Sequence, residues 1–118
     1  MKFEEARKII EQKYETRQKR INAVEIVIKK QLRFGHYYYI LLMEYENEAL
    51  LTDYAETRHI LKPTVSKDVF EEVCKNNKIT FVDGYIEKKF ENIEDVDNFV
   101  KVLDELSAKY AELENQED

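Results

Sequence analysis

The sequence predicts an α+β domain: a three-stranded antiparallel meander plus a β-hairpin, packed by long N- and C-terminal helices and two short central helices. Three features carry this expectation. Helical periodicity occupies both ends of the chain and period-two alternation occupies the middle. The two glycines and the single proline fall where one pattern gives way to another. A chain of 118 residues, 43% of them hydrophobic, suits one core in a single domain over 1–118.

Residues 1–20 are expected to form an amphipathic helix, with Phe3, Ala6, Ile10 and Tyr14 along one stripe and Glu4/Lys8 and Glu15/Lys19 as outward i,i+4 pairs. Residues 21–52 read as the meander. Val24, Ile26, Ile28, Leu32 and Phe34 alternate with Glu25, Lys29, Gln31 and Arg33, and Lys30 interrupts the apolar face as a bulge or an edge-protecting charge does. After a turn at Gly35, the aromatic and aliphatic run 36–45 predicts a central strand covered on both faces. A polar turn at Glu46-Asn47-Glu48 then leads to the third strand, Ala49-Leu50-Leu51-Thr52.

Residues 53–77 carry two helix signals. Asp53 is placed to cap the first with Glu56 as its capping-box partner, and that helix must stop before Pro63. Ser66 caps the second, which buries Val69, Phe70, Val73 and Cys74. The hairpin occupies 78–90. Asp83-Gly84 between Ile79-Thr80-Phe81-Val82 and Tyr85-Ile86-Glu87-Lys88 selects a type I′ turn, because both central residues need positive φ. Asn92 is expected to cap a helix over 92–115 that keeps Ile93, Val96, Phe99, Leu103, Leu106, Tyr110 and Leu113 on one face, with residues 112–118 fraying into an acidic tail.

The lone cysteine, Cys74, excludes an intrachain disulfide and fits a reducing compartment. The charged start Met1-Lys2-Phe3-Glu4-Glu5 lacks an apolar signal core, and the apolar run 37–43 is too short for a bilayer span. The expected location is the cytoplasm of a prokaryotic or phage-infected cell, with no membrane partner. The net charge of −6 conceals an asymmetry: residues 1–33 carry +5 and the remainder −11.

The steps Leu51-Thr52-Asp53, Thr57 to Leu61 and Phe81-Val82-Asp83-Gly84-Tyr85-Ile86 resemble those of a family of uncharacterised small prokaryotic domains often carried by mobile elements. The resemblance spans about half of the chain, residues 50–106. That family continues Asp-Asp-Gly where this chain has Asp53-Tyr54-Ala55. The resemblance implies a small accessory protein of a bacterial, plasmid or phage genome and carries no activity or site residues.

No catalytic, cofactor or metal constellation is recognisable. Glu56 and His59 form a Glu-x-x-His pair, but the second copy that a di-metal bundle needs is missing. Cys74 sits on the apolar side of its helix, where a thiol is desolvated rather than activated, and His36 flanks a turn. Two isolated glycines cannot build a phosphate loop.

Non-enzymatic binding is therefore the expected activity. In the sharpest version the acidic side chains Glu44, Glu46, Glu48, Asp53, Glu91, Glu94, Asp95, Asp97, Asp104 and Glu105 imitate a phosphate backbone. They then occupy the basic groove of a nuclease or nucleic-acid-binding protein. In size and charge the chain is similar to small acidic phage proteins that inhibit CRISPR nucleases. The alternative is a DNA- or RNA-binding regulator. It grips through Arg7, Lys8, Lys13, Arg17, Lys19 and Arg20 on the first helix, or through a helix-helix-hairpin unit whose second helix is too acidic to welcome phosphate. An unrecognised enzyme is the third reading. Tyr37, Tyr38 and Tyr39 supply aromatic contact area, to be covered by the protein's own helices, a homodimer partner or a target. The plainer reading of each charged set is a solvated face.

Overall fold

The computed structural model describes residues 1–116. It is an α+β fold of four helices, a six-stranded antiparallel sheet and a two-stranded one. In chain order the elements are α1 (Phe3–Glu11), β1 (Thr16–Arg20), β2 (Ala23–Ile26), β3 (Gln31–Arg33), β4 (His36–Tyr37), β5 (Ile40–Tyr45) and β6 (Glu48–Thr52). They continue as α2 (Glu56–Leu61), α3 (Lys67–Asn76), β7 (Thr80–Val82), β8 (Tyr85–Lys89) and α4 (Glu94–Gln116). The large sheet runs β1-β2-β5-β6-β8-β7, so the 80–89 hairpin is its far edge rather than a separate wing.

The first helix ends at Glu11, not near residue 20. Residues 16–20 form an edge strand because their backbone pairs with β2, Thr16 opposite Ile26 and Arg17 opposite Glu25. Lys19 consequently pairs with Glu25 at 3.2 Å across the strands, and the expected Glu15/Lys19 helical pair does not form. The strand expected from residue 21 also divides. After Ile26 the chain leaves the sheet and makes the β3–β4 hairpin against α4 before returning as β5. The ladder is irregular just after Lys30, between Gln31 and Arg33; the Lys30 ammonium lies 3.1 Å from Asp104 on α4, and Tyr38 donates to the same carboxylate at 2.6 Å. Ser107 fixes the hairpin further by donating to the Leu32 carbonyl at 2.7 Å.

β5 is central, as its composition predicts, but the helix-lined core lies on one of its faces. Val24, Ile26, Ile40, Leu42, Ala49, Leu51 and Ile86 share a face and join the buried side chains of all four helices in one core. Each Val, Leu or Ile among them contributes about 1.5–3 kcal/mol on burial.

Local signals hold where the sequence is self-sufficient. Asp83 and Gly84 take φ of 51° and 86°, as a type I′ turn requires. Ser66 accepts from the Val69 amide at 3.3 Å. The last helix departs in two ways. Its start is held by Asp95, whose carboxylate accepts from the Glu91 and Asn92 amides at 2.7 and 3.1 Å, rather than by the Asn92 side chain. Its end stays helical to Gln116 where an acidic tail was expected, and the final two positions lie outside the described residues.

The turn into α2 puts Tyr54 and Ala55 in the left-handed region, with φ of 55° and 65°. Thr52 and Asp53 hold it, accepting from the Tyr54 and Ala55 amides at 3.1 and 2.9 Å. Asp53 caps α2 through the Thr57 amide at 3.2 Å, but Glu56 is exposed and the expected reciprocal bond is absent. A Cβ in this region costs about 1–2 kcal/mol. Ala55→Gly relieves it at the expense of unfolded-chain entropy, and a gain of about 0.5–1 kcal/mol in urea unfolding is expected.

Candidate functional site

The buried side chains of all four helices join the first face of the large sheet, while on the second the α2 residues Glu56 and Ile60 line a depression with Tyr39 and Tyr54. Strand alternation turns Ala23 and Glu25 of β2, Leu41, Met43 and Tyr45 of β5, and Leu50 and Thr52 of β6 to this side. Ala23 and Leu41 are buried yet stand apart from the core; Met43 and Leu50 are half-buried; Tyr45 is 59% exposed. Tyr54 and Tyr85 meet edge to face above the same side, with ring centroids 5.8 Å apart. Tyr39, two residues before Leu41, shares this parity. Tyrosines and aliphatic groups thus share this face with Glu25, Glu48, Glu87 and Lys89, with Tyr45 and Tyr54 exposed upon it.

The basic side chains border this surface at β1. The register shifts between Gln18 and Arg20, a bulge that lets Lys19 and Arg20 face the same side. Together with Ala23, Tyr39, Leu41, Met43 and Tyr54 they line a shallow slot. Burial pushes the Tyr39 phenol up, while the nearby Lys19 charge opposes that shift. At the other end of β1, Arg17, Val27, Ile28, Lys29 and Tyr37 line a groove with Glu25 and Tyr38. The expected basic helix is therefore not one surface. Arg7 is tied to Glu4 and Glu11 on α1, Lys8 is exposed there, Lys13 lies in the following loop, and Arg17, Lys19 and Arg20 belong to β1.

The acidic set is split in the same way. Asp95 is buried in its capping role, with Lys88 3.6 Å away. Asp97 accepts from the Tyr14 hydroxyl at 2.6 Å and the Lys13 ammonium at 3.4 Å, bonds that hold its carboxyl below the usual range. Burial and that same carboxylate push the Tyr14 phenol up to about 12. Glu48 accepts from the N-terminal ammonium at 2.6 Å, which lowers its pKa. Asp104 is engaged by Lys30 and Tyr38. Glu44, Glu46, Glu91 and Glu94 remain exposed. Three of the four gather at one end of the sheet, because Glu44 pairs with Ala49 and the Phe90 amide donates to the Ala49 carbonyl.

Of the tyrosine triplet, Tyr38 is buried against α4, Tyr37 is exposed, and Tyr39 belongs to the second face. Glu56 and His59 are both exposed, as is His36. Cys74 is buried, and desolvation first, then the charge of Asp53, pushes its thiol up to about 12. Among the described residues no group of three His, Cys, Asp or Glu side chains is arranged to hold a metal, and no helix is long and apolar enough to cross a membrane.

Sequence reasoning found Tyr39, Lys19 and Arg20 but not their association with Leu41, Met43, Tyr54 and Tyr85. The parity of 41, 43 and 45 against 40 and 42 was a usable signal. The run's uniform apolarity hid it. No protein-family model, no curated protein and no solved structure matches the chain.

Proposed function

We propose that this chain is a non-enzymatic binding protein that holds a partner protein against the second face of its sheet. One observation carries the reading: Tyr39, Leu41, Met43 and Tyr54 line an apolar, tyrosine-rich slot bordered by Lys19 and Arg20, on the sheet face opposite the core. Tyrosines at such a site offer large contact area at low entropic cost, and a framing charge selects among partners. The test is affinity capture from a lysate of the source cell with the parent chain, Met43→Arg and Tyr54→Asp. Both variants are expected to lose the captured protein while their melting temperatures stay within a few degrees of the parent. Undiminished capture by both removes the second face from consideration.

A second reading is favoured by the register that gathers Glu44, Glu46 and Glu91. Here the acidic end enters the basic groove of a nucleic-acid-handling protein, as an inhibitor encoded by a phage or mobile element does. Quadruple replacement of Glu44, Glu46, Glu91 and Glu94 by Gln distinguishes the two, since it abolishes capture only if the acidic end is the contact.

A further inference from the structure

The described residues on the outer side of β1 form no strand beyond it. β1 pairs with β2 alone, and four of its five residues are exposed. The Val27 amide donates to the Glu15 carbonyl at 2.9 Å. In an antiparallel ladder, hydrogen-bonded and non-hydrogen-bonded pairs alternate, so Arg17 faces Glu25 as a bonded pair while Thr16 and Gln18 turn their N–H and C=O groups away from β2. These groups are a template for one more strand.

Side-chain charge decides what kind of strand fits. The groove and the slot that flank β1 are lined by Arg17, Lys19, Arg20 and Lys29, against one carboxylate, Glu25, which Lys19 already holds at 3.2 Å. In a second copy paired Thr16 to Gln18, Arg17 meets its own counterpart while Glu15 meets Lys19, so an acidic segment answers the cations more fully than another β1 does.

We propose that the outer edge of β1 receives an extended, acidic segment of the partner protein as an added strand, with its carboxylates against Arg17, Lys19, Arg20 and Lys29. The inference rests on the protein-binding reading above and names the part of the partner that reaches the sheet. Main-chain bonds to Thr16 and Gln18 supply affinity, the four cations supply selection, and salt weakens the complex.

The probe is a fluorescein-labelled peptide of about ten residues alternating Glu with Val and Thr, followed by fluorescence anisotropy at low salt. The controls are the same peptide with Lys in place of Glu and an oligothymidylate of similar length. The acidic peptide is expected to bind, the Lys peptide not to bind, and added salt to weaken the complex. Gln18→Pro removes an outward amide without breaking the β1–β2 ladder and is expected to weaken binding by about tenfold. Lys19→Glu with Arg20→Glu is expected to abolish it. The proposal is overturned if the acidic peptide fails to bind, if Gln18→Pro binds it as the parent does, or if oligothymidylate binds more tightly than the peptide. That last result would assign the basic edge to single-stranded nucleic acid. Lysate capture by Met43→Arg reports separately on the second face. If capture depends on Met43 while the peptide does not bind, strand addition alone fails; if the peptide binds through Gln18 but capture ignores Met43 and Tyr54, the second-face reading alone fails.

Discussion

Asp53→Ala is expected to lose about 3–5 kcal/mol of stability, a large share of the ~5–15 kcal/mol typical of a domain. Asp53 is fully buried, and its two carboxylate oxygens accept from the amides of Ala55, Thr57 and Ile86 at 2.9, 3.2 and 3.0 Å and from the Thr57 hydroxyl. Desolvation of the carboxylate raises its pKa against the pull of those four donors. Each buried donor left without a partner costs about 1–3 kcal/mol. The variant also releases the left-handed Tyr54-Ala55 turn and the tie between that turn and β8. Asp53→Asn is expected to lose about 2 kcal/mol, since its amide nitrogen must oppose one of the donors. Urea unfolding at neutral pH measures both. A loss under 1 kcal/mol for Asp53→Ala would show that water replaces the carboxylate at little cost.

Phe70→Ala carries the second large effect. Phe70 is fully buried on α3, packs against Phe81 with ring centroids 5.3 Å apart, and lies beneath the Arg58 guanidinium at 5.5 Å. Removing a core phenylalanine costs about 3–5 kcal/mol through lost burial and the cavity left behind. Cys74, one turn along the same helix face, supplies a local readout. In the parent its thiol is buried and pushed up to about 12, so labelling by a thiol reagent near pH 8 is expected to be slow. Loss of Phe70 raises the population of the opened state, and labelling is expected to accelerate about a hundredfold, the factor that corresponds to nearly 3 kcal/mol. Unchanged labelling together with a large global loss would separate α3 from the region that Phe70 supports.

The same dependence on distant partners separates the legible parts of this chain from the illegible ones. The Asp83-Gly84 turn, the Ser66 cap, the end of α2 before Pro63 and the apolar face of α4 were all readable, because each needs only residues a few positions apart. The fate of residues 12–20 was not. Their spacing suits a helix, yet β2 offers a backbone ladder and Asp97 offers a partner for Tyr14, more than 80 positions away in the chain. The excursion of β3 and β4 likewise depends on Asp104 and Ser107.

For the candidate site the division is sharper. Composition determined that acidic groups outnumber basic ones after residue 33, and alternation determined that Tyr38 and Tyr39 part company. Only the tertiary structure decided which charges remain available. Asp95, Asp97, Asp104 and Glu48 are engaged within the fold and Lys19 is held by Glu25, while Arg17 and Arg20 come to border the tyrosine-bearing face. A charge is available for recognition only after intramolecular partners have had their claim. Those partners are set by strand register and helix packing, which bring together residues that no local pattern connects.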